Sequence, residues 1–211
     1  MGISDMQLQT KNLPAKKRIA ATVQAVLMLS ADRNPNDITT SAIAAIMGLT
    51  QGALFRHFLN KEVIWQSVME WVSDCLLSRV DQAIQAAPSP LAALEAIFMS
   101  HIDFVTQHPG VPRILLTELQ RTGTTPAKKM AQSLLREYEQ RLQAVIETGK
   151  TFGELAAAVS TESAATLFVG TIQGLVLQSL LADIPHKART EAAGVFNLYR
   201  RGIEVRHEAS V

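Results

Sequence analysis

The sequence predicts an all-α chain of about nine helices, with a small three-helix head at the N-terminus and a larger helical body after it. Three observations predict this. Apolar residues recur at three- and four-residue spacing through most of the 211 residues. No stretch alternates at period two between hairpin turns, and no internal repeat is visible. Residues 39–61 hold cap residues, a glycine and small or apolar positions at the spacing of two short helices joined by a tight turn and followed by a capped third.

The elements follow in order. Residues 1–13 read as a flexible arm. A first helix is expected from Pro14, tolerated in a first turn, to Ala31, with Ile19, Val23, Val26, Leu27 and Ser30 on one stripe. Asn34-Pro35-Asn36-Asp37 is a turn, and the two helices of the motif come next. Asn60 caps a long helix to about Ala86, with Val63, Ile64, Val68, Trp71, Val72, Cys75, Leu76 and Val80 on its apolar side. Pro88-Ser89-Pro90 breaks the chain before a helix from Leu91 to Thr106. His108 to Pro112 is a second break, and a short helix runs from Arg113 to Gln120. After the loop at 122–126 a helix spans Lys128 to Thr148, and Gly149 to Gly153 turns. Glu154 to Ala158 is expected as a small helix leading to Ser160. A long apolar helix runs from Thr161 to Ala182, Asp183-Ile184-Pro185 ends it, and a last helix spans Lys187 to Val205. The domain boundary implied is 14–60 for the head and 61–211 for the body.

Within the motif each residue has a physical reason. Ala44 is small where two helices cross. Gly48 supplies the positive φ of the turn, and Leu54 points back into the hub. Thr50 is an N-cap whose hydroxyl accepts from a free backbone N–H. This is the geometry of a helix-turn-helix, which lays its second helix in the major groove of DNA. Charge agrees. Residues 1–61 carry seven Lys and Arg against three Asp, a net +4, while the rest carries 13 basic and 16 acidic residues, a net −3. A basic head on an acidic body suits a polyanion partner for the head.

The segment resembles the DNA-binding signature of TetR-family (TetR/AcrR) transcriptional regulators, Thr-Thr-Val-x-x-Ile-Ala-x-x-Ala-Gly-Val-Ser-x-Gly-Thr-Leu-Tyr-x-His-Phe-x-x-Lys-Glu. Thr39, Ile43, Ala44, Gly48, Gly52, Leu54, His57, Phe58, Lys61 and Glu62 match it, and Leu49, Thr50 and Phe55 are conservative variants. Ile38, Thr40, Met47 and Ala53 depart from it. Phe55 lacks the hydroxyl of the usual Tyr and with it one phosphate contact. The resemblance implies a homodimer on double-stranded operator DNA, a small-molecule effector and, most commonly, repression.

The residues then divide into three groups. On DNA, Gln51, Gly52, Ala53 and Arg56 are nearest the bases: Gln51 suits adenine, Arg56 suits guanine or a phosphate, and the small pair lets the backbone approach. Thr39, Thr50, His57 and Lys61 stand with the backbone contacts, Lys16, Lys17 and Arg18 flank them, and Thr40 is a further candidate on the DNA-binding face. Phe55, on the same short helix, is counted among the candidate DNA-binding residues, while its ring, an aromatic at helical spacing beside Leu54, is read like that of Phe58 as packing rather than base stacking. The resemblance implies a dimer interface on the last two long helices, with Gly170, Gly174, Leu177, Val195, Leu198 and Tyr199. It also implies a pocket in the body, for which Phe98, Met99, Ile102, Leu115, Leu119, Phe168, Ile172 and Gln173 are candidate lining and Tyr138, His101 and Asp103 candidate polar contacts. An apolar lining suits a lipophilic or aromatic effector.

Other classes fit less well. His101 and Asp103, two apart, point to different helix faces and make a poor metal pair. No glycine-rich phosphate loop, paired-cysteine site or Gly-x-Ser-x-Gly elbow is present, so no catalysis, metal or cofactor is expected. One cysteine, Cys75, allows no internal disulfide, and the polar first twenty residues lack the apolar core of a signal peptide, so a cytoplasmic chain off the membrane is expected. The competing reading is a DNA-binding chromosome-organising protein with no small-molecule effector.

Overall fold

A computed structural model describes residues 14–184 and 186–205. The arm expected at 1–13, Pro185 and residues 206–211 lie outside the described residues. Among those described there are nine α-helices: α1 (Ala15–Asp32), α2 (Thr40–Ile46), α3 (Gln51–Phe55), α4 (Lys61–Ala86), α5 (Pro90–Gln107), α6 (Gly110–Gln120), α7 (Pro126–Thr151), α8 (Thr161–Ala182) and α9 (Lys187–Ile203). A 3-10 turn at Pro35–Asp37 joins α1 to α2. The all-α expectation holds.

The chain divides into two compact units. Of the described residues, the first takes 14–74 and 108–133, and the second 75–107 and 134–205. The first unit therefore contains α1 to α3, the opening turns of α4, and α6.

In the first unit α1 buries Val23, Ala25, Val26, Leu27 and Leu29 and packs on α2 and α6. Gly110 makes the second contact possible: a Cβ there would stand 2.4 Å from the Leu27 carbonyl oxygen. The hub of the helix-turn-helix is Ile38, Ile43, Ala44, Met47, Leu54, Phe58 and Ile64, all buried. Met47, a departure from the small residue of the signature, is buried, with its Sδ 3.3 Å from the Thr22 hydroxyl; a flexible thioether fills such irregular gaps.

In the second unit α5, α8 and α9 pack on one another around an aromatic cluster. Phe98 meets Phe168 edge-on at 5.4 Å, and Phe168 meets Tyr199 at 5.4 Å. Ser160 caps α8, its hydroxyl accepting from the Ser163 N–H at 3.2 Å. By length and composition α8 is apolar enough to cross a membrane, yet Ala164, Ala165, Phe168, Val169, Ile172 and Leu175 are buried against its own chain.

The small helix expected at Glu154 to Ala158 is absent. Leu155 instead pairs with Glu204 in an isolated antiparallel bridge. The cause is local. Gly153, at φ 71°, turns the chain out of α7, the Glu154 and Leu155 N–H groups both donate to the Gly149 carbonyl, and the Ala156 N–H is taken by the Ile203 carbonyl at 2.9 Å. The Glu154 carbonyl, which the first bond of such a helix needs as acceptor, is taken by the Val205 N–H at 3.1 Å.

Candidate nucleic-acid interface

The turn between α2 and α3 is built as its sequence demands. Gly48 sits at φ 65°, in the region where a Cβ is costly, and the Leu49 N–H closes the turn on the Ala44 carbonyl at 2.9 Å. Thr39 caps α2 by accepting from the Ala42 N–H at 3.1 Å, and Thr50 caps α3 by accepting from the Ala53 N–H at 3.2 Å. Asn60 accepts from the Val63 N–H at 3.0 Å and so starts α4. Each cap satisfies a donor with no partner inside its helix.

The short α3 turns Leu54 inward and leaves Gln51, Gly52, Phe55 and Arg56 exposed, with Thr39, Thr50 and His57 exposed beside them and Thr40, Ala53 and Lys61 half-exposed. A Cβ on Gly52 would meet nothing within 4 Å, so this glycine is not needed for packing within the chain. Its value is an open backbone on the outer face. Phe58 is buried as expected, whereas Phe55 is 40% exposed. The packing expected of Phe55 is corrected: on a helix that keeps only Leu54 buried, a residue one position on faces outward.

Arg18, Gly48, Leu49, Thr50, Ala53, Arg56 and His57 line a concave cleft of about 480 Å³ on this face. The Arg18 guanidinium donates to His57 Nε2. Gln51 Nε2 donates to Thr40 Oγ1 at 2.8 Å, a bond across the turn that the sequence did not announce.

Lys61 is placed differently from the other basic groups. Its ammonium donates to the Asn36 carbonyl at 3.3 Å and lies 5.7 Å from the centroid of Trp65. Burial and then the nearby Arg121 lower its pKa, against an opposing pull from Asp37. It lines a second cleft of the first unit with Trp65, Thr117, Glu118 and Arg121. Glu118 is buried, paired to Arg121 at 3.0 Å and accepting from the Thr125 hydroxyl at 2.8 Å. This carboxylate was missed from sequence because its partners sit three and seven residues on, across the end of α6.

The candidate pocket residues do not form one group. Phe98 and Phe168 touch, and Ile102 and Ile172 are buried in the same unit. Tyr138 OH and His101 Nδ1 lie 3.0 Å apart, and burial lowers the His101 pKa to about 4 and raises that of Tyr138. Met99 is half-buried and Gln173 is exposed on α8. Asp103 pairs with Arg189 at 3.2 Å. Leu115 and Leu119 belong to the first unit, and Leu119 is 60% exposed.

The candidate dimer residues lie largely outward. Leu177 and Leu198 are 45% and 69% exposed, and Leu167 and Leu181 join them. Gly170 and Gly174 have open space where a Cβ would stand, and Val195 is half-exposed. Tyr199 is the exception: it is buried, donating its hydroxyl to the Ala164 carbonyl at 3.1 Å, so it braces α9 against α8 within the chain.

Residues 90–194 match the family model described as the tetracyclin repressor-like C-terminal domain. Among curated proteins the chain is 25% identical over 139 residues to the nucleoid occlusion factor SlmA of Marinomonas sp. (strain MWYL1), covering 66% of this chain and 71% of that one. It is 33% identical over 89 residues to the SlmA of Escherichia coli O1:K1 / APEC, covering 42% of this chain and 45% of that one; the chain thus spans under half the length of the second relative. A solved structure of the transcriptional regulator FadR from Bacillus subtilis in complex with stearoyl-CoA superposes with a TM-score of 0.75 at 19% identity, over 88% of this chain and 99% of that one. With a helix-turn-helix head carrying the signature and a body that matches this model, the chain belongs to the TetR family of DNA-binding transcriptional regulators.

Proposed function

We propose that the chain acts as a homodimeric, sequence-specific repressor that leaves its operator when a small apolar or aromatic effector binds the body. One observation supports the dimer above the others: Leu167, Leu177, Leu181 and Leu198 stand exposed on α8 and α9 around the open surfaces of Gly170 and Gly174. Clustered exposed leucines on a soluble chain mark a surface that is covered in use. Two heads on one dimer read two half-sites about one helical turn apart. Gln51 and Arg56 then face base edges, while Thr39, Thr50 and His57 face the backbone.

The effector half of the reading is supported by the His101–Tyr138 pair, a polar contact set among apolar side chains, and by the fold shared with a regulator solved with an acyl-CoA. An effector acts by preferring one conformation of the body, and the shift in DNA affinity equals its differential affinity for the two. A second reading, an organiser of chromosomal DNA with no small effector, is supported by the curated relatives, which are nucleoid occlusion factors, and by the close packing of Phe98, Phe168 and Phe196.

The test is a fluorescence-anisotropy titration of DNA from upstream of the protein's own gene against scrambled DNA, at two salt concentrations. Selective binding at two chains per site supports the repressor, and loss of that complex on adding a fatty acyl-CoA supports effector release. Binding that ignores sequence and collapses with salt leaves only phosphate contacts and overturns the repressor reading at that site.

A further inference from the structure

We propose that Thr40 is a positioning residue for base reading: by accepting a hydrogen bond from the Gln51 carboxamide, it sets Gln51 to read adenine and to reject guanine. The proposal rests on the reading of Gln51 as a groove contact.

Gln51 is the first residue of α3 and is exposed, and Thr40 is the first residue of α2. Their 2.8 Å bond ties the two helices together on the outer side of the turn, away from the hub. A free carboxamide has two N–H donors and one carbonyl acceptor. Adenine presents one acceptor and one donor in the major groove, whereas guanine presents two acceptors. With one N–H committed to Thr40, Gln51 keeps one N–H and its carbonyl oxygen. That remainder completes the adenine pattern and leaves the guanine pattern one donor short. The bond also holds the side chain in a single orientation before DNA arrives, so less rotamer freedom is lost on binding.

Thr40 is one of the positions where this chain departs from the signature, which carries Val there. Valine has no hydroxyl, so the bond is a property of this chain's own pair. It follows that Thr40→Val restores the residue of the signature and is an unthreatening change for the fold.

The experiment is selection of bound sequences from a randomised double-stranded DNA pool by the full-length wild type and by Thr40→Val, Thr40→Ser and Gln51→Ala. The wild type is expected to prefer adenine over guanine by about tenfold or more at one position per half-site, and Gln51→Ala to erase that preference. Thr40→Val is expected to cut the adenine-to-guanine ratio severalfold at that position alone, with the salt dependence unchanged, and Thr40→Ser to restore it. If Gln51→Ala erases the preference but Thr40→Val matches the wild type, the positioning role falls and the groove reading stands. If Gln51→Ala changes nothing, both fall. Guanine preferred by the wild type, or a uniform loss of affinity in Thr40→Val across all sequences, also overturns the proposal.

Discussion

The outer face of the helix-turn-helix and the outer face of α8 and α9 are both open to solvent, and they are built from opposite materials. The first shows hydroxyls, a carboxamide, a guanidinium and a bare glycine backbone at Thr39, Thr50, Gln51, Gly52 and Arg56. The second shows leucines at 167, 177, 181 and 198. Directional polar groups are content in water and gain from a partner only where donors meet acceptors, so they discriminate. Leucines are unfavourable in water and gain from any complementary apolar surface, at about 25 cal/mol per Å² covered. One face is suited to choosing a partner and the other to holding one.

The largest effect that separates the two faces comes from Leu177→Glu combined with Leu198→Glu. Two charges on the apolar face are expected to leave a monomer in sedimentation, and to weaken binding to every DNA sequence by about a hundredfold or more, because linked heads exceed single heads by that order. The head itself should keep its melting behaviour. A double variant that still sediments as a dimer, or binds DNA unchanged, breaks the comparison.

Next comes Gly110→Ala, which touches neither face. Its methyl would meet the Leu27 carbonyl at 2.4 Å and Ser30 Cβ at 2.9 Å, contacts that backbone relieves only by moving α6 off α1. Overpacking of this kind costs about 1–3 kcal/mol. A urea melt should show the loss, with dimerisation intact.

How well each region was legible in the sequence follows the same division. The turn could be read because backbone chemistry fixes it: Gly48 must reach positive φ, and Thr39, Thr50 and Asn60 must supply caps. Such demands are local and leave their mark at fixed spacing. Helices α1 and α4 to α9 were legible by period, with ends off by a few residues; α6, expected from Arg113, begins at Gly110. What could not be read depends on partners distant in sequence. The 154–158 segment looked helical until Ile203 and Val205 claimed its backbone. Tyr199 looked like part of the outward face until Ala164 claimed its hydroxyl. The pocket list mixed residues of two units, because apolar character alone does not say which hydrophobic residue faces which.

A smaller effect tests the interior of the second unit. His101 is held near a pKa of about 4 by burial, against 6.5 when exposed. Between those values the unfolded chain binds a proton that the fold refuses, so stability falls as pH drops from about 6.5 towards 4, by at most about 1.4 kcal/mol per unit. Denaturant midpoints from pH 7 to 4.5 should fall more steeply for the wild type than for His101→Leu. Parallel curves would mean that the imidazole is solvated, and would remove the polar pair as a support for the effector reading.

The smallest effect returns to the polar face. Thr50→Ala removes the side-chain acceptor of the Ala53 N–H, and such caps contribute about 1 kcal/mol. On a long helix that loss is a detail. On α3, five residues from Gln51 to Phe55, one capped turn is most of the element, and only Leu54 anchors it in the hub. The loss should therefore appear as disorder of α3 rather than as global unfolding. Amide exchange is expected to quicken at Ala53 and Leu54 while the melting temperature drops by only a few degrees. Thr50→Ser and Thr50→Asp keep a capping oxygen and should keep slow exchange. Of the two, only Thr50→Asp adds a negative charge to the face proposed to meet phosphate, so only it should weaken DNA binding. A cap role and a phosphate role for one hydroxyl are thereby told apart: if Thr50→Asp binds DNA as well as Thr50→Ser does, the face at Thr50 does not approach the backbone.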